Sequence, residues 1–192
     1  MTRPVQNARH PEVEVDTLFT DRWSPRSFDP SPLEESQIAS LFEAARWAPS
    51  CFNEQPWLFC YAASEDERQR YLGALMEKNR AWAQHAPLLV FVAARRNFAH
   101  NSKVNRHAPF DAGAAWMSLA LQARRLGLYA HAMAGFSVEK ALEILSLDGN
   151  EYELMAAVAV GRRAEASLLT EEMSGVEHPN KRRPLSEIIR RG

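Results

Sequence analysis

Three runs of the chain are apolar throughout: Trp57 to Ala63, Leu88 to Ala94 and Leu154 to Val160. A strand with one face in water alternates apolar and polar residues, so a strand lacking that alternation must be covered on both faces. A short strand over Tyr129–Met133 joins them. Between the runs, apolar residues recur at helical spacing. Ser31-Pro32-Leu33-Glu34 reads as a capping box with proline at the first helical position, followed by Ile38, Leu41, Phe42 and Ala45 on one face. Ser64 and Glu67 form a second capping box, opening a helix that buries Tyr71, Leu72, Leu75 and Met76 and runs on through Asn79 to Trp82. Asp111 can cap a long helix from Ala112 to Leu126. Its inward face of Ala115, Trp116, Leu119, Ala120 and Ala123 is small enough for close packing, and Gly127 closes it. Shorter helices are expected over Glu12–Thr20 and Val138–Leu145. The alternation predicts an α+β fold with helices on both faces of a sheet.

The chain has 192 residues, which suits one domain, so 1–192 is read as a single unit with a loose arm over residues 1–11. A formal net charge of −1 gives no basic surface for nucleic acid or an anionic membrane. Two cysteines, Cys51 and Cys60, are too few for a disulfide framework, and Cys60 reads as a small buried hydrophobe. Met1–His10 has no apolar leader core, and no run approaches the ~20 apolar residues of a membrane helix. The simplest placement is cytoplasmic.

Two polar loops concentrate donors. Arg22-Trp23-Ser24-Pro25-Arg26-Ser27-Phe28 holds two arginines, whose planar forks match phosphate or another anionic edge. Trp47-Ala48-Pro49-Ser50-Cys51-Phe52-Asn53-Glu54-Gln55-Pro56-Trp57 sets a hydroxyl, a thiol and two carboxamides between two prolines. Carboxamides both donate and accept, which suits the mixed edge of a heteroaromatic ring. Residue chemistry alone leaves open that both are solvated loops satisfying their own backbone. A polar segment over 95–109 reads as a connecting loop or a lid.

Other chemistries lack their signatures. No Gly-x-Gly-x-x-Gly follows a strand, and no phosphate-loop Gly-x-x-x-x-Gly-Lys occurs. The six histidines form no i,i+4 pair and there is no Cys-x-x-Cys, which argues against zinc. Ser137-Val138-Glu139-Lys140 fits Ser-x-x-Lys, but a helix cap explains the serine better. Cys51 has no basic partner identifiable from sequence to activate it as a nucleophile.

The 47–57 loop resembles the Pro-Ser-x-x-Asn-x-Gln-Pro-Trp signature of the nitroreductase family, and the 22–28 loop resembles that family's opening Arg-x-Ser-x-Arg/Lys-x-Phe pattern. The resemblance spans about residues 15–190. It implies a nitroreductase-like fold with a mostly antiparallel central sheet flanked by helices. It also implies an intertwined homodimer with FMN at the interface and a 176–192 tail reaching the partner subunit. Arg22 and Ser24 would contact the phosphate and ribityl region, with Trp23 between them at a place where a basic residue is common. Arg26 would sit at the pyrimidine edge, stabilising the reduced ring. Pro49, Ser50, Cys51 and Asn53 would line the ring from the other subunit, with Gln55 supporting the loop. Asn79 resembles the asparagine that bonds the pyrimidine edge, and Ala134-Gly135 the turn whose N–H reaches the ring. Arg182, with Lys181 beside it, resembles the late phosphate-binding arginine. Trp82 and Asn180 stand where basic residues are often found.

The implied activity takes hydride from NADH or NADPH and passes it to a small electron acceptor (nitroaromatic, quinone, enone or flavin) by a ping-pong cycle. Two alternatives on the same scaffold are another flavin reaction, such as dehalogenation or flavin breakdown, and a flavin-binding carrier or sensor without turnover.

Overall fold

The computed structural model describes residues 7–192, so part of the expected 1–11 arm lies outside the described residues. In chain order the elements are α1 (Thr17–Asp21), α2 (Glu35–Arg46), β1 (Trp57–Ala62), α3 (Glu65–Leu72), α4 (Glu77–Ala83), β2 (Leu88–Arg95), α5 (Ala108–Arg125), β3 (Tyr129–Met133), α6 (Val138–Leu145), β4 (Tyr152–Gly161) and α7 (Glu171–Ser174). The strands form a four-stranded sheet in the order β1-β2-β4-β3. Every pairing is antiparallel, so the sheet is wholly antiparallel where the sequence suggested mostly so.

The unbroken apolarity of the central strands follows from this layering. On β2, Leu88, Val90, Val92 and Ala94 face one core with Ile38 and Leu41 of α2 and Ala112, Ala115 and Leu119 of α5. Leu89, Phe91 and Ala93, the alternate residues, face a second core with Tyr71, Leu72, Trp82, Phe136 and Ala141. Each fully buried Leu, Val or Phe contributes about 1.5–3 kcal/mol relative to exposure, so a polar residue anywhere from Leu88 to Ala94 would disrupt one core or the other. The alanine face of α5 lets that helix lie close to the sheet.

Several ends differ from the sequence reading. The first capping box forms three residues late, between Glu34 and Gln37, and α2 starts at Glu35 rather than Pro32. The Ser64–Glu67 box forms as expected. The helix expected to run from there to Trp82 is broken into α3 and α4. Leu75 leaves it to pair with Phe136 as an isolated antiparallel bridge, with Met76 N donating to Gly135 O at 3.0 Å and Ser137 N to Ala74 O at 2.8 Å. Asp111 does not cap α5. The helix begins a turn earlier at Ala108, with Pro109 in its first turn, and Asp111 lies buried inside it. The first helix is only Thr17–Asp21 because Asp16 caps it by accepting from Leu18 N. Gly127 closes α5 as expected at φ +73°, with Leu128 N on Ala123 O and Gly127 N on Arg124 O. Within 95–109, Asn97 and Val104 pair across a short hairpin rather than forming an open loop. No helix among the described residues is long and apolar enough to cross a membrane.

Candidate functional site

The 22–28 loop is held from beneath by groups distant in sequence. Glu177, a buried carboxylate of the tail, accepts from Arg26 N (2.8 Å) and Ser27 N (2.9 Å). His131 of β3 bonds through Nδ1 to Pro25 O at 2.8 Å. Burial holds the His131 imidazole neutral, pushing its pKa down to about 4 despite the bond to Pro25, and the nearby Arg26 guanidinium adds to the effect. Neutral His131 therefore donates from Nδ1 to the carbonyl. Beside it, Trp82 stacks on His131 (4.6 Å) and Phe28 (6.1 Å) and is 2% exposed. Position 82 is thus a core position. Trp23 is likewise buried, its ring edge-on to Tyr129, so its side chain packs the loop down.

Above these packed residues the loop presents cations. Arg22, Ser24 and Arg26 are half-buried, and neither arginine has an ion-pair partner among the described residues. Burial lowers the Arg22 pKa and the proximity of Arg182 lowers it further, so the loop and the tail bring like charges together. Arg182 and Lys181 are exposed and line a cleft of about 480 Å³ between the tail and the 8–20 segment. The tail is laid against its own chain's arm, with Leu185 N bonding Glu12 Oε1 at 2.9 Å.

Asn79 on α4, one turn before Trp82, meets Gly135 directly. Its Nδ2 donates to Gly135 O at 3.0 Å. A Cβ at position 135 would lie 2.6 Å from that nitrogen, so the approach requires glycine. The Asn79 amide oxygen keeps its acceptor capacity, and Gly135 N–H has no acceptor among the described residues. Ala134 beside it is exposed.

The 47–57 loop is built differently. Phe52, Asn53 and Gln55 all have left-handed backbones, at φ +54°, +55° and +51°. Such residues are strained, and they persist only where their surroundings hold them. Ser50 Oγ accepts from Gln55 N at 3.0 Å, and Gln55 Nε2 donates to Asn53 O at 3.1 Å. Cys51 N donates to Asp111 Oδ2 at 3.1 Å, tying the loop to α5. Glu54 accepts from Ala99 N and bonds His100, and Phe52 meets Phe98 and His100, which joins the loop to the 97–104 hairpin. Pro49 and the Asn53 carboxamide stay exposed.

The chain brings together Arg22, Trp23, Ser24, Arg26, Lys181 and Arg182, with Asn79 and Gly135 on the neighbouring α4 and turn. It does not bring Pro49, Ser50, Cys51, Asn53 and Gln55 to them. Trp57 of edge strand β1, where the second loop enters the sheet, pairs with Ala94 of β2, whereas Tyr129 of β3, on the opposite edge, pairs with Gly161 of β4 at the far end. The two loops thus lie at diagonal corners, about 14 Å apart across three strand spacings and about 20 Å along the strands. Sequence reasoning does not mark Glu177, His131 or Glu54 as site residues, and reads Asp111 only as a helix cap. Glu177, His131, Asp111 and Glu54 act on residues 151, 106, 60 and 45 positions away, respectively, which no local pattern records. No cluster of metal ligands occurs among the described residues.

The sequence matches the family described as "Nitroreductase family" over residues 19–81 and 74–162, and the chain belongs to that family. A solved oxidoreductase containing FMN is 41% identical, superposes with a TM-score of 0.92, and aligns over 100% of this chain and 98% of its own. A Streptomyces coelicolor protein provisionally named NADH dehydrogenase/NAD(P)H nitroreductase is 32% identical over 47% of this chain. The match spans only 45% of that relative's length. The CLA biosynthesis enone reductase of Lactiplantibacillus plantarum is 24% identical over 88% of this chain and 94% of its own.

Proposed function

We propose that the chain is an FMN-dependent oxidoreductase that draws hydride from NADH or NADPH and delivers it to a small acceptor such as a nitroaromatic, quinone, enone or flavin. The observation that carries this reading is the gathering of Arg22 and Arg182, without carboxylate partners among the described residues, beside a loop whose Arg26 guanidinium is also unpaired. Clustered unpaired guanidinium groups suit a phosphate dianion. The Gly135 cradle suits the edge of a flat ring, since a side chain there would displace Asn79.

When bound, FMN supplies the two-electron chemistry between a reduced nicotinamide and the acceptor. Arg22, Ser24 and Arg182, with Lys181 at the rim, would bind its phosphate and ribityl chain. Arg26 would place positive charge at the pyrimidine edge, where reduction concentrates negative charge. Asn79 Oδ1 would accept from a ring N–H, and Gly135 N–H would donate at the ring's centre. Trp23 and Ala134 would contribute main-chain surface. Neutral His131 keeps a second positive charge from building up under Arg26.

Pro49, Ser50, Cys51 and Asn53, with Gln55 bracing them, would reach this site from a second copy of the chain. The diagonal separation of the two loops supports that arrangement. So does the face of α5 bearing exposed Phe110, Gly113 and Met117 at helical spacing, an apolar stripe suited to a second copy. The arm and the 176–192 tail, with Phe19, Ile188 and Ile189 exposed, would wrap that copy, leaving one domain per chain.

Purified protein should show flavin absorbance or take up FMN. Mixing with NADH or NADPH without oxygen should bleach that absorbance, and an acceptor should restore it. A protein that binds FMN but is not bleached would be a carrier. One that neither binds FMN nor oxidises NAD(P)H in its presence would refute the reading.

A further inference from the structure

We propose that Arg9, in the N-terminal arm, is a third cation of the anion site formed by Arg22 and Arg182, and that its ligand is a phosphate monoester dianion. This rests on the flavin reading above and extends its binding set to a residue outside the loop motifs. Arg9 Nη1 donates to Arg22 O at 2.7 Å and to Thr20 O at 3.0 Å, and its Nε donates to Asn180 O at 2.8 Å. Arg182 Nη1 reaches the same Asn180 carbonyl at 3.4 Å. Three segments are thereby stitched together at two guanidinium groups and one further arginine by main-chain carbonyls, with no carboxylate among the described residues taking part.

Carbonyl contacts fix the Arg9 fork but do not neutralise it, and Nη2 is left without a partner among the described residues. The nearby acids are turned to other donors: Glu12 to Leu185 N, and Asp21 to Asn7. Gathering like charges this way is unfavourable in the empty protein and is offset when a dianion enters. Consistent with that, Arg182 and Arg22 both depress the Arg9 pKa, after burial itself. Asn180 supplies no charge of its own at the point where Arg9 reaches the tail.

The phosphate could be that of FMN or the 2′-phosphate of NADPH, and one variant separates them. In Arg9→Gln, a contact to the FMN phosphate should weaken FMN binding by about 10-fold or more while riboflavin, which has no phosphate, binds within about twofold of wild type. A contact to the NADPH 2′-phosphate should instead raise KM for NADPH alone, with NADH and FMN unchanged. Arg9→Lys, which retains charge, should recover part of either effect. It also serves as the test if the glutamine variant does not fold. Equal loss of FMN and riboflavin, or no change in any of these, would make Arg9 an arm anchor only and overturn the inference. Wild-type protein that binds neither flavin would overturn the flavin reading first, so the two failures are distinguishable.

Discussion

The 22–28 loop and the 47–57 loop are both polar turns rich in donors, yet they are stabilised in opposite ways. The first rests on buried Glu177 and half-buried His131, which satisfy its main chain beside Arg22 and Arg26. The second is strained at Phe52, Asn53 and Gln55, exposes Pro49 and Asn53, and is tethered by Asp111 and Glu54 at its base. A loop braced from within its own chain can be rigid before any ligand arrives. A loop that completes another chain's site, as proposed for the second, would have to be presented outward, and its exposure with a local tether suits that role.

The sharpest way to break the contrast is Glu177→Ala, which leaves the Arg26 and Ser27 N–H groups without their acceptor. It should destabilise the chain by about 3 kcal/mol in urea unfolding, with Glu177→Gln costing less. An unchanged midpoint would mean that the tail does not hold the loop. The next largest effect is the pH dependence from His131. Its folded-state pKa, about 4 against an ordinary 6.5, lies below the unfolded one. The contribution is therefore complete above about pH 6.5 and is lost as pH falls toward 4, by up to about 3 kcal/mol. His131→Asn should flatten the stability profile across that window, and a profile as steep as wild type would contradict the assignment.

On the other loop, Asp111→Ala should cost about 1–2 kcal/mol. It should speed hydrogen exchange at residues 51–55 by about tenfold while leaving the Arg26 and Ser27 amides protected. Faster exchange in both loops would show that they are one unit, not two. The smallest effect is expected at Cys51, whose side chain takes no part in the tether. Cys51→Ser should shift stability by less than about 0.5 kcal/mol and FMN affinity by less than about twofold.

What was legible in the sequence was whatever local chemistry decides. The apolar runs marked β1, β2 and β4 because both faces of those strands are covered, and Ser64, Ser137 and Gly127 marked helix ends because their cap bonds span a few residues. The α3–α4 break was not legible, since it depends on Leu75 pairing with Phe136 across 61 positions of sequence. Asp111 looked like a cap because nothing nearby reveals that Cys51 N would claim it. The loops stood out as motifs, and Asn79 and Gly135 by their order along the chain. The clamps beneath the loops did not stand out, because a lone Glu177 or His131 reads as an ordinary polar residue until folding sets it under a turn.

The central claim, that the arginine loop of one chain and the 47–57 loop of another complete a single flavin site, is tested most directly by subunit mixing. Arg22→Gln/Arg26→Gln and Ser50→Ala/Asn53→Ala chains should each bind FMN poorly alone. Refolded together in equal amounts, about half of the dimers should be mixed, each with one intact site, which restores FMN binding to about a quarter of wild type. A mixture that binds no more FMN than the average of its two parents would place both loops in the same site of one chain and contradict the account.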